Sequence, residues 1–473
     1  MSSKPDLELG KASIDTANGY VSRRGTEHGS HTQKPVHETH AETPEYDSSD
    51  SEDELPITAN RHARWWYSIF HNITAMIGAG VLGLPYAFKY LGWTGGTITL
   101  FVSFVISLIN LRQLCSMHEI NGKRMNRYHE LGQYAFGKRA GLWAVIPFQL
   151  IVMVGLGITY SVTAGKSLQA VYLMCGGSGH IGLSVWIVIF AVAELFASQL
   201  PNFNSLALVS LIAAVMSVTY CTLGWTTALA NGRINDLRYD LDGVTRFEGI
   251  MGCFNALGTV AFAYGGHNVV LEIQATLPKR SGVEGGTFKP YMKGVYFAYA
   301  FVCYCYFTLA ITGYWAFGED VLDNVLLSIK RPTWLVAVAD MFVVVHTFGS
   351  YQMYSMPVFD MIEAAFRAWG WTRNKIITRL LMRTLYVVFT CFVAVTLPFF
   401  GDLMGFFGAI GFAPTTFWLP SLIWLVVKKP SRRSWSFWFN ACNIVLCVTV
   451  MFLAAIGSMY WIVRNASGYR FYQ

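Results

Sequence analysis

Two stretches of this sequence put helix-breaking residues inside long apolar runs. The first is Met76-Ile77-Gly78-Ala79-Gly80-Val81-Leu82-Gly83-Leu84-Pro85, within the apolar run 66–88. The second is Tyr264-Gly265-Gly266-His267-Asn268, in the middle of the run 251–277. Glycine weakens a helix interior, and proline removes a backbone donor. In hydrocarbon, freed amides and carbonyls must be satisfied by protein, water or a ligand. The amides at the start of a half-helix attract anions, and the carbonyls at the end of one attract cations. A zwitterionic α-amino acid needs both within a few ångströms. The Gly78–Gly80 break suits the carboxylate and the Gly265–Gly266 break the ammonium, or the reverse. Small residues also let a ligand approach the main chain closely. Packing of helices through small residues is the plainer alternative, but it leaves a second break in the other half of the chain unexplained.

Side chains near these breaks extend the chemistry. Gln149, Met153, Leu156 and Tyr160 recur at helical spacing in the run 143–174. The Tyr160 hydroxyl is a candidate partner for a substrate carboxylate, or else for a neighbouring helix. Ionisable residues inside apolar runs are functional suspects. His267 and Glu272 adjoin the second break and rank first as proton-coupling candidates. His346, near mid-depth of the run 333–363, ranks next. For each of these residues a paired structural role is the alternative. Asp340 sits earlier in the same run, while Glu119, Glu194 and Asp402 read as interfacial. The nine cysteines show no metal-ligand spacing, so no metal and no cofactor is expected. No His-Glu-x-x-His or Gly-x-Ser-x-Gly arrangement points to an intramembrane enzyme. Sodium coupling leaves no motif and stays open.

The elements that must hold these residues are helices. Only 13% of residues are charged, against roughly 25% in soluble domains, and 53% are hydrophobic. Eleven apolar runs follow Arg64, at about 66–88, 95–119, 143–174, 183–199, 205–229, 251–277, 291–317, 333–363, 376–398, 401–427 and 436–463. All but the fourth reach the roughly 20 residues of a spanning helix. Lysine and arginine gather in the loops after runs 2, 6, 8 and 10, which puts the N-terminus in the cytosol and, with an odd count, the C-terminus outside. Runs 1 and 6 then cross in opposite directions, as in a five-plus-five inverted repeat with run 11 appended. Residues 1–60 form a polar tail with the acidic run 47–54 and read as disordered. Within it Ser49 and Ser51 suit an acidophilic kinase, and a solvated tail without regulation is the alternative. The net charge of +7 lies in short loops and is no nucleic-acid signature.

Longer blocks carry a resemblance. They include Trp65-Trp66-Tyr67-Ser68, Gly78 to Ala87, Tyr128-His129-Glu130-Leu131-Gly132-Gln133, Leu200 to Ser205, Ala261 to Tyr264 with Gly266 to Thr276, Ser350-Tyr351-Gln352, Met356 to Asp360 and Phe412 to Thr416. Over residues 60 to 473 the chain resembles the amino acid/auxin permease family, most closely its lysine/histidine transporter-like branch. The resemblance implies an all-α integral membrane protein with a LeuT-type fold, in which helices 1 and 6 of eleven are broken. It also implies proton-driven symport of a broad range of amino acids at the plasma membrane. The family's broken positions correspond here to Ile77, Gly78, Ala79, Gly80 and Val81 and to Ala263, Tyr264, Gly265, Gly266 and His267. Gly265 stands where alanine or serine is expected, and Glu194 where a neutral residue is. The competing functions are an amino acid sensor and a carrier of another small carboxylate, such as an auxin-like or ethylene-precursor acid.

Overall fold

The computed structural model describes residues 63–199, 206–234, 237–241, 243–278, 285–368 and 375–469. The tail with Ser49 and Ser51, the block Leu200–Ser205, and Lys279 and Arg280 lie outside these residues. Among the described residues the α-helices are α1 Tyr67–Met76, α2 Leu84–Ser116, α3 Tyr128–Phe136, α4 Lys138–Met174, α5 Leu183–Ser198, α6 Leu206–Asn231, α7 Arg246–Ala263, α8 Val270–Ala275, α9 Phe288–Phe317, α10 Val325–Ser328, α11 Thr333–Ala368, α12 Lys375–Thr396, α13 Phe400–Phe407, α14 Leu419–Lys428 and α15 Trp435–Gly468.

Both expected breaks are present and follow one plan. In the first, α1 stops at Met76, Ile77 and Gly78 leave helical geometry, and a 3-10 turn over Ala79–Gly83 leads into α2. In the second, α7 stops at Ala263, Tyr264 to Gly266 intervene, and a 3-10 turn over His267–Val269 leads into α8. Gly266 has φ 146°, a conformation that favours glycine. The end of run 1 and run 2 as far as Ser116 are joined in α2, bent at Gly92 with φ 67°.

Among the described residues, eight helices are long and apolar enough to cross a bilayer. α5 has 16 residues, about 24 Å at 1.5 Å per residue. That is below the roughly 30 Å of a hydrocarbon core. Its exposed Val185, Val188, Ile189, Val192 and Phe196 nevertheless suit lipid contact. The run 401–427 differs from a plain helix. Between α13 and α14, Gly408–Trp418 is a π-helix containing Pro414, which cannot donate a backbone hydrogen bond.

α4 packs on α11, α2 on α7 and α9, and α15 on α7. Small residues do bring helices together, but most tightly away from the first break. A Cβ on Gly258 would meet the Gly405 carbonyl oxygen at 2.2 Å, and one on Gly408 the Gly258 oxygen at 1.9 Å. Here the backbones of α7 and of the π-containing segment touch, with no room for a side chain.

Between α2 and α4 lies a small polar module. Strands β1 (Glu119–Ile120) and β2 (Lys123–Arg124) pair antiparallel around Asn121 and Gly122, whose φ values of 52° and 74° fit a tight hairpin. Arg124 Nη2 donates to the Leu277 carbonyl at 3.0 Å, just past the end of α8. Burial, aided by the Arg127 charge, lowers His129 to about 4, and burial together with Arg124 pushes His118 well down. Both imidazoles are therefore neutral. The unfolded chain takes up a proton below the usual value of about 6.5, whereas the folded module does not until about 4. Stability from this source is complete above that window and falls as pH drops through it.

Two outcomes follow. Gly258→Val should cut the yield of folded protein and lower its melting temperature, since overpacking typically costs about 1–3 kcal/mol. Gly95→Ala, whose new Cβ would lie 3.8 Å from Leu91, should be neutral or slightly stabilising; equal thermal stability of the two variants would contradict the packing. Hydrogen exchange over Tyr128–Phe136 should lose protection between pH 6.5 and 4 after correction for the intrinsic rate, with a shallower loss in His129→Asn. A flat profile in the parent would count against neutral burial.

Candidate functional site

The two breaks meet each other. A Cβ on Gly80 would lie 2.8 Å from Ala263 Cα, and one on Gly266 2.8 Å from Met76 Cγ. Residues 77–81 and 263–267 are all buried. The amides that open the half-helix at Ala79 have no partner within it.

The freed carbonyls are taken up by tyrosines from three other helices. Tyr306 of α9 donates its hydroxyl between the Met76 and Ala263 carbonyls, which end α1 and α7. Tyr220 of α6 donates to the Gly78 carbonyl at 3.0 Å. Tyr354 of α11 donates to the Ala75 carbonyl at 2.7 Å. A buried tyrosine hydroxyl needs an acceptor, and a broken helix needs donors, so each solves the other's problem. Sequence reasoning passed over Tyr220, Tyr306 and Tyr354. Their only signal was a phenol near the middle of an apolar run, where water is absent.

Tyr160 stands where its helical register put it. A Cβ on Gly78 would meet its Oη at 2.9 Å and His346 Nε2 at 3.4 Å. His346 is fully buried. Its Nδ1 lies 2.9 Å from the Ala213 carbonyl, which can only accept, so Nδ1 carries the hydrogen and the neutral ring's Nε2 is left as an acceptor. Ser350 Oγ is 3.2 Å from that Nε2. The His346 ring also meets Tyr160 and Tyr220 edge-on, at 6.5 and 5.8 Å between centroids.

The other candidates are placed differently. His267 turns from the break toward α2, where Nε2 donates to the Ser107 carbonyl at 3.0 Å and Nδ1 has no partner. Glu272 lies buried on α8, within electrostatic reach of Arg127, Glu130 and Asp360. Gly265 faces Phe412, whose ring carbon would sit 2.0 Å from an added Cβ, so this glycine makes room for an aromatic of the π-helix. Asn268 donates to Thr415 Oγ1 at 3.3 Å, and its carbonyl accepts from Gln149 at 3.3 Å. Asp340 accepts from Ser167 at 2.8 Å. Glu194 is not interfacial: it is fully buried and accepts from Gln352 at 2.5 Å. Asp402 is also buried, and accepts from Asn465 at 2.5 Å.

Two apposed helix breaks thus bring half-helix amides and carbonyls together at one buried place, among hydroxyl donors and a histidine acceptor. A sequence profile of the family described as "Transmembrane amino acid transporter protein" matches residues 61–464. The chain belongs to this family. Lysine histidine transporter-like 1 of Arabidopsis thaliana is 47% identical over 423 residues, covering 89% of this chain and 93% of that protein. Lysine histidine transporter-like 6 of the same plant is 48% identical, covering 87% and 94%. This places the chain in the lysine/histidine transporter-like branch. Among solved structures, MhsT in complex with L-phenylalanine aligns with a TM-score of 0.52 at 12% identity, covering 85% of this chain and 99% of that one. The fold is therefore the LeuT type, with broken helices 1 and 6. The family is one of multi-pass membrane transporters of amino acids, not of enzymes.

Gly80→Val should abolish uptake while leaving surface protein, because the new side chain drives into Ala263. Tyr306→Phe should lower uptake at least tenfold, since it leaves two buried carbonyls short of a donor, at about 1–3 kcal/mol per lost partner. Radiolabelled amino acid uptake normalised to surface biotinylation measures both. Parent-like transport by Gly80→Val would remove the break from the site.

Proposed function

We propose that the chain is a proton-coupled symporter that imports a broad range of amino acids across the plasma membrane by alternating access. The observation that carries this reading is the convergence of Gly78, Tyr160 and His346 beside the apposed breaks. The substrate's α-carboxylate and α-ammonium bind the breaks at 77–81 and 263–267. His346 Nε2 holds the proton: it is the acceptor nitrogen of a ring oriented by the Ala213 carbonyl, it lies 3.2 Å from Ser350 Oγ, and it faces the break. His267, bonded through Nε2 to Ser107, and Glu272 on α8 serve as further proton-coupling candidates.

The chain crosses the membrane eleven times, with the N-terminal tail in the cytosol and the C-terminus outside. The lysine and arginine pattern of the loops supports that orientation. Proton and substrate must favour the same conformations for coupling to occur, and the membrane voltage adds about 2.3 kcal/mol per charge per 100 mV.

The sign of the pH effect follows. Lower external pH loads the proton site, so uptake of neutral amino acids should rise on acidification and collapse with a protonophore. His346→Gln should flatten that rise, to within about twofold between pH 5 and 7.5, by removing the imidazole nitrogen that faces the break. Labelled uptake into expressing cells at both pH values measures this. Sodium-dependent, pH-independent uptake would overturn the coupling assignment, and absence of any amino acid flux despite surface expression would overturn the symporter reading.

A further inference from the structure

A cavity of about 460 Å³ lies away from the breaks, at the end of the bundle that the loop charges place outside. That volume is within the usual range for small-molecule sites. Tyr86 on its wall is six residues beyond Gly80, and Lys166 is six residues beyond Tyr160 along α4, about 9 Å at 1.5 Å per residue. The cavity therefore stands roughly two helical turns above the central site, on the same two elements.

Its lining is charged in both senses. Lys89 and Lys166 face Glu319, Asp320, Asp323 and Asp402. Lys166 Nζ binds Asp323 Oδ2 at 2.7 Å, and the Gly401 amide donates to the same oxygen at 3.3 Å. The Lys166 ammonium also sits 5.6 Å from the centre of the Phe400 ring. Asp402 is held by Asn465, and Lys89 lies over the Tyr86 and Tyr90 rings. The Lys166 and Asp323 side chains remain 17% and 26% exposed. Both groups of the pair can therefore be reached from the cavity.

We propose that this cavity is an outer binding site for α-amino acids, occupied by exchange with the Lys166–Asp323 bridge. The bridge is itself an ammonium on a carboxylate. An arriving zwitterion supplies both groups: its carboxylate takes the Lys166 ammonium, and its ammonium takes the Asp323 carboxylate. Both protein charges stay paired while the bridge between them opens. Four carboxylates against two lysines leave the cavity acidic, so it favours neutral and cationic side chains over anionic ones. The inference rests on the amino acid and orientation readings above.

Two measurements on the full-length protein test it. The first is initial-rate uptake of labelled glutamine, with glutamate and lysine as competitors. Lys166→Met and Asp323→Asn should each raise the KM for glutamine roughly tenfold, the loss of one charge-assisted contact, while Lys166→Arg stays near the parent. Asp320→Lys should strengthen inhibition by glutamate relative to lysine. Parent-like KM in both neutral variants overturns the proposal. The second is binding of labelled glutamine to purified protein, which reads the site even in a variant without flux; affinity unchanged in both neutral variants also overturns it. Binding that depends on Lys166 and Asp323 in a parent without flux would instead refute the transport reading and keep this site.

Discussion

Every hydrogen bond given up at the two interruptions has to be replaced from inside the protein, because the hydrocarbon around it offers none. That need organises the molecule. The α1 and α7 carbonyls at Met76 and Ala263 share one phenol, Tyr306, and those at Gly78 and Ala75 take Tyr220 and Tyr354. Three helices are thus tied to the breaks by single hydroxyls. Each must stand at a rotation and depth that delivers its oxygen. In the binding mode proposed above, the groups that stabilise the broken backbone are also the solute's neighbours, so stability and recognition use one set of atoms.

A second constraint is steric. Gly80 against Ala263, and Gly258 against Gly405 and Gly408, are contacts of backbone on backbone. Such contacts have no compliant side chain between them. A shift at one break is passed to the other without loss, and through α7 to the π-helix that packs Phe412 onto Gly265. Interfaces of this kind switch between discrete arrangements rather than deform smoothly, which suits a carrier that must not open on both sides at once.

Much of this was legible in the residues. Gly-Ala-Gly and Tyr-Gly-Gly marked the breaks, and the helical register of Gln149, Met153 and Leu156 led to Tyr160. Other features were hidden for physical reasons. Hydrophobic periodicity cannot tell an α-helix from a π-helix around Pro414, because nearly every residue of Gly408–Trp418 is buried and no face stands out. His267 adjoins its break in sequence yet points to Ser107, and His346, far away in sequence, reaches Gly78. Distance along the chain was a poor guide because the bundle folds α11 back over the first break. Glu194 read as interfacial from its place near the end of a run, but only three-dimensional packing shows its carboxylate closed in against Gln352. The Asn121-Gly122 hairpin had a plain signal that the apolar pattern overshadowed.

The bend at Gly92 carries a mechanical consequence. The half of the first crossing beyond its break and the second crossing up to Ser116 are two rods joined directly at Gly92 in α2, with no loop between them. Neither can be translated without dragging the other, so their relative motion reduces to swivelling about a single residue. A Cβ placed on Gly92 would meet nothing within 4 Å. The residues on either side are packed, Tyr90 against Trp461 and Trp93 against Tyr239 and Tyr314, so a displacement beginning beside Gly80 reaches the second crossing together with these neighbours.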